Sequence, residues 1–97
     1  MISTPEEHNL TVTVELITPE QAAAYLADNA KHRKISQKRV DKYIAALAKG
    51  EWTLNGKTII FDENGTLRNG QHRLTAVVQS DTPFTTLVVR GVPVTAF

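Results

Sequence analysis

Between Gly65 and Ala76 the chain changes its period. Gly65-Thr66-Leu67-Arg68 reads as a strand, Asn69-Gly70 breaks it, and Leu74, Val77 and Val78 then recur at helical spacing. A strand that becomes a helix across a single glycine calls for a sheet with helices packed on it, and the remaining segments are read against that requirement.

Residues 1–9 carry no period and read as a flexible tail; a single domain is expected over 10–97, since a chain of 97 residues is too short for two ordinary cores. Along 10–17, Leu10, Val12, Val14 and Leu16 alternate with Thr11, Thr13 and Glu15, the pattern of a strand with its apolar side on the core. Thr18-Pro19-Glu20-Gln21 reads as an N-cap, a proline at the first helical position and a capping-box glutamine, opening a helix to about residue 29 with Ala22, Tyr25 and Leu26 inward. Ser36 caps a second helix, in which Val40, Tyr43, Ile44 and Leu47 share one face and Gly50 marks the end. A strand is expected over 54–62, a two-residue hairpin turn at Asn64-Gly65, a return strand from Leu67, and a last strand over 84–90. The order β, α, α, β-hairpin, α, β gives an α/β (α+β) fold, a small mixed β-sheet with about three helices.

The absence of cysteine excludes disulfides, thiolate metal sites and cysteine nucleophiles. No apolar run reaches the roughly 20 residues of a membrane span, and Pro5, Glu6 and Glu7 do not fit a secretory signal, so a cytoplasmic protein with no membrane partner is expected. The formal net charge of +1 conceals segregation: from Met1 to Ala30 every charged side chain is acidic, and Lys31, Arg33, Lys34, Lys38, Arg39 and Lys42 follow closely. A basic face of this kind attracts phosphates, whether of a nucleotide or of DNA, although a run of charge is also what a solvated helix surface looks like.

The turn Asn69-Gly70-Gln71-His72-Arg73 is the candidate site. A helix start leaves backbone N–H groups without partners at the positive end of its dipole, Gly70 permits close approach, and Arg73 supplies a fork of donors matched to phosphate oxygens. His72 can donate or accept a proton. Arg73 is expected as an exposed side chain, so its removal should cost binding and leave stability unchanged. The same residues would also serve as a plain turn. Trp52 is assigned to the core and His8 to no role; Asn55 and Lys57 could reach a base or ribose or simply form the turn beside Gly56, and His32, with Arg33 and Lys34, could form a second side of the site or a solvated loop. Asp62 and Glu63 read as turn formers.

The run Gly70-Gln71-His72-Arg73-Leu74-x-Ala76, preceded by Ser36, Val40, Tyr43, Gly50, Trp52, Asn55, Ile60, Phe61, Gly65 and Leu67 in order, resembles the ParB N-terminal domain and sulfiredoxin superfamily over about residues 18–91, and is especially like phage-encoded ParB-like proteins. The resemblance implies a nucleotide ligand whose phosphates lie on Asn69, Gly70, Gln71, His72 and Arg73, with Arg33 and Lys34 as the opposite side, and leaves Mg2+ open. Two departures limit it. Gln71 stands where sulfiredoxin has its cysteine, which excludes that activity, and no helix-turn-helix follows within these 97 residues. Asn69 in place of the usual aspartate also removes a carboxylate that could hold a metal.

Two readings follow: a nucleotide-binding module that sequesters or senses its ligand, or a nucleic-acid-binding protein using Lys31, Arg33, Lys34, Lys38, Arg39 and Lys42. Weak NTPase or nuclease chemistry is a lesser alternative, since no paired carboxylates suit a metal. No catalytic residue and no metal ligand is assigned.

Overall fold

The computed structural model describes residues 10–27, 34–50 and 58–96. The tail 1–9 with His8, the link residues Lys31, His32 and Arg33, and the segment holding Trp52, Leu54, Asn55 and Lys57 lie outside the described residues. The elements in order are β1 (Thr11–Ile17), α1 (Pro19–Ala27), α2 (Gln37–Ala48), β2 (Thr58–Asp62), β3 (Leu67–Asn69), α3 (Gln71–Ser80), β4 (Phe84–Val92) and a short 3-10 turn (Val94–Ala96). The four strands make one mixed sheet in the order β1-β4-β2-β3, with β2 parallel to β4 and the other two pairings antiparallel. This is the small mixed sheet with three helices that the periodicity predicts, an α+β fold. Among the described residues no helix is long and apolar enough to cross a membrane.

Each helix start follows from its cap. The Thr18 hydroxyl accepts the Gln21 amide at 3.2 Å and Ser36 does the same for Arg39 at 3.4 Å. The other half of the expected capping box is absent from α1, because the Gln21 side-chain amide donates instead to the Tyr25 hydroxyl at 2.9 Å. The hairpin is longer than expected. Gly65 N–H donates to the Asp62 carbonyl and Asp62 N–H to the Thr66 carbonyl, so Glu63, Asn64 and Gly65 all belong to the loop, with Gly65 left-handed at φ +81°. The Asp62 carboxylate turns into that loop and accepts the amides of Asn64 and Thr66 at 2.8 and 3.0 Å, which favours the longer form.

The core lies on one side of the sheet. Ile17, Ile59, Phe61, Leu67, Phe84 and Val88 meet Ala22 of α1, Val40 and Leu47 of α2, and Leu74, Ala76 and Val77 of α3. The inward face of α3 differs from the expected one at Val78, which is 39 % exposed, while Ala76 and Arg73 are buried.

The largest departure from the sequence reading is in β1, where the alternation is correct and the buried side is the other one. Leu10, Val12, Val14 and Leu16 are 50–61 % exposed, and Ile17 alone in the strand is buried. The helix-side positions Thr13 and Glu15 belong to a polar cluster instead: Arg90 of β4 reaches Thr13 and pairs with Glu15, and Tyr25 of α1 donates to Glu15 at 3.1 Å. These bonds hold the polar side of the strand under the helices and leave its apolar side open.

The junction of β3 and α3 depends on Gly70, which has φ +108° and is so close to Ile59 that a Cβ would overlap Ile59 Cδ1. Gly70→Ala combines a strained left-handed backbone with an overpacked contact, and unfolding in denaturant should show a loss of roughly 2–4 kcal/mol. A variant as stable as the parent would show that the turn does not need glycine.

Candidate functional site

Three elements converge at the start of α3. Arg39 and Tyr43, one turn apart on α2, form one wall; Arg68 and Asn69 of β3 form another; Gly70, Gln71, His72 and Arg73 close the base. They line an open polar cavity of about 100 Å³, with room for an anionic group such as a phosphate. The sequence-predicted residues Asn69 to Arg73 are therefore brought together. Lys34 is exposed and does not line the cavity, Lys38 and Lys42 are exposed on α2, and Lys31 and Arg33 lie outside the described residues.

Arg73 is the main correction to the sequence reading. It is 6 % exposed, because α3 lies close against β2 and carries this side chain inward. Its Nη2 donates to the Thr58 carbonyl at 2.8 Å, while Nη1 is buried with no partner among the described residues. Burial pulls its pKa below the usual arginine value, with Tyr43 acting in the other direction, and a guanidinium still carries its charge at neutral pH. Because the side chain is anchored in the fold, its removal costs stability as well as any binding, contrary to the expectation for an exposed arginine.

His72 has a structural bond. Its Nε2 accepts the Ser36 backbone amide at 3.1 Å, which places the ring hydrogen of the neutral form on Nδ1 and ties the cap of α2 to the first turn of α3. Arg39, displayed three residues after that cap, is held at the cavity by the same bond.

Two contributors were missed in the sequence. Arg68 was read only as a strand residue and Tyr43 only as a core position, yet both line the cavity. Arg68 is fixed by a 2.8 Å ion pair from its Nε to Asp62, whose side chain is 1 % exposed. Burial pushes the Asp62 carboxyl up, but Arg68 and the amides of Thr66 and Asn64 outweigh it and hold the pKa below the usual value. The Arg68 signal was its place two residues before Gly70 on an antiparallel edge.

A larger cavity, about 380 Å³, lies at the opposite ends of β2 and β4, lined by Tyr25, Phe61, Asp62, Glu63, Gly65, Arg90 and Gly91. Its two rings meet edge to face at 4.9 Å and Arg90 lies 5.4 Å from the Phe61 centroid. Arg90 pairs with Glu15 and Asp62 with Arg68, so the buried charges here are compensated within the protein. Among the described residues the smaller cavity is lined by three arginines and no carboxylate. Among the described residues no group of three His, Asp or Glu side chains is placed to hold a metal ion.

Comparisons of the chain with protein-family models, curated proteins and solved structures give no match.

The Asp62–Arg68 pair makes the site sensitive to acid. A carboxyl whose pKa is depressed on folding contributes stability that is full above its unfolded value and is lost as pH falls through the folded one, here below the ordinary aspartate value of 3.8. Glu15, lowered chiefly by its bond from Arg90, adds loss below 4.5. Asp62→Asn should cost about 1–3 kcal/mol at neutral pH and flatten the acid limb of a stability-against-pH curve. An unchanged acid limb would show that Asp62 does not carry that linkage.

Proposed function

We propose that this domain binds the phosphate of a nucleotide at the start of α3, in the manner implied by its resemblance to the ParB and sulfiredoxin superfamily. The observation that supports it is the charge of Arg73. A buried cation is costly unless it is paired, one of its nitrogens has no partner among the described residues, and among the described residues the cavity is lined by Arg39 and the Asp62-paired Arg68 but by no carboxylate. An anion from outside is what such a site lacks. The dipole at the start of α3 favours the same occupant.

The cavity is polar and open on one side, so a phosphate seated among the arginines leaves sugar and base directed outward, toward Arg39. The proposed role is capture or sensing of the ligand. A second reading, contact with DNA, draws on the exposed Lys34, Lys38 and Lys42.

Calorimetric titration with inorganic phosphate and with mono- and triphosphates of each base, beside a short DNA duplex, separates the two. Arg39 is the clean probe, because it is exposed and lines the cavity without anchoring the core. Arg39→Ala should weaken nucleotide binding by about tenfold or more through loss of a charge-assisted bond, with the melting temperature unchanged. Nucleotide affinity that is absent, or indifferent to Arg39, overturns the proposal. Duplex binding that falls steeply with salt while no nucleotide binds supports the DNA reading.

A further inference from the structure

The helices cover one face of the sheet, and the other face is open among the described residues. Pairing across the strands sets out its rows: Val12 beside Val89 beside Ile60, then Val14 beside Leu87 beside Thr58, then Leu16 beside Thr85. Val12, Val14 and Leu16 are 58–61 % exposed. The first row ends on β3 at Asn69, opposite Ile60; the other side chains of these rows are aliphatic or threonine, and none is charged. The charged residues of β1 and β4, Glu15 and Arg90, lie on the helix side, where they pair with each other.

A contiguous aliphatic face on an edge strand and its neighbour exposes the chain to association, and proteins that remain monomeric interrupt such faces with charge. We propose that this face is the interface of a homodimer, in which two copies stack sheet on sheet. Two properties favour a second copy over a different partner. First, a two-fold axis sets a surface against itself, so a face can be its own partner only if like charges do not meet, and these rows hold none. A chain of net charge +1 adds little long-range repulsion.

Second, the area is sufficient for a reversible dimer. Strands of seven, nine, five and three residues, at about 3.4 Å per residue and about 4.8 Å between strands, project roughly 400 Å². With side-chain relief, two copies bury on the order of 1,000 Å², the lower limit for a specific interface. Opposed sheets settle about 10 Å apart, with the Val and Leu rows of one copy between those of the other. The anion cavity lies among α2, β3 and α3, away from β1, so dimerisation does not depend on the proposed ligand.

Sedimentation velocity of the full chain across the micromolar range tests the proposal. The parent should shift with concentration from one to two copies. Val14→Lys puts a charge at the centre of the face and should weaken the dimer by at least about tenfold while circular dichroism and melting stay as in the parent, since the side chain is already exposed. Val12→Thr, nearly isosteric, should weaken it less and decides the matter if the lysine variant does not fold. A parent that stays monomeric throughout overturns the proposal, as does association that both variants retain.

Discussion

The contact of Gly70 with Ile59 sets the position of everything around the anion cavity. Because the turn has no side chain, the first turn of α3 comes down directly on β2, and this approach carries the Arg73 guanidinium to the Thr58 carbonyl at 2.8 Å. Leu74 and Val77, one and two turns along the same face, then fall on the core. A side chain at position 70 would strain the left-handed backbone and force the end of the Ile59 side chain to move. One close approach therefore fixes both the packing of the last helix and the depth at which positive charge is buried.

That depth separates the two cavities of the molecule. Around Tyr25 and Phe61, burial of charge is offset by partners of opposite sign, Glu15 with Arg90 and Asp62 with Arg68. For Arg73 it is not: hydrogen bonding to a carbonyl meets part of its requirement, and among the described residues no carboxylate lines the space in front of it. Coulomb attraction in partly buried surroundings is several-fold stronger than in bulk water, so the smaller, polar cavity has the greater capacity to hold an anion although it has about a quarter of the larger one's volume.

Local rules carried much of the fold. The caps at Thr18 and Ser36, the inward Val40 and Leu47 of α2, and the helix start at Gln71 each depend on a few neighbouring residues, and each was legible in the sequence. What was not legible depends on partners distant in the chain. Alternation in β1 gives two faces but not which of them the helices cover; that choice follows from Arg90, some seventy-five residues away, drawing Glu15 to its side. The depth of Arg73 likewise follows from the position of Thr58, and Arg68 joins the site only because β3 turns back along β2. The turn motif could be read as a place for an anion, whereas the identity of its walls required the tertiary structure.

Those walls are held before any ligand arrives. The Nε of Arg68 is committed to Asp62, and Asp62 is held in turn by two loop amides, so the guanidinium plane is fixed at the side of the cavity. On the other side the Ser36 amide bonded to His72 couples the start of α2, and with it Arg39, to the turn that carries Gly70. An arginine that must be ordered on binding gives up on the order of 1 kcal/mol of the contact it makes, and here that loss has been met in the folding of the chain. The cost is confined to Arg73: Arg68 is paired with Asp62, whereas one buried Arg73 nitrogen has no partner among the described residues, and an unmet buried donor of a cation lowers the stability of the domain.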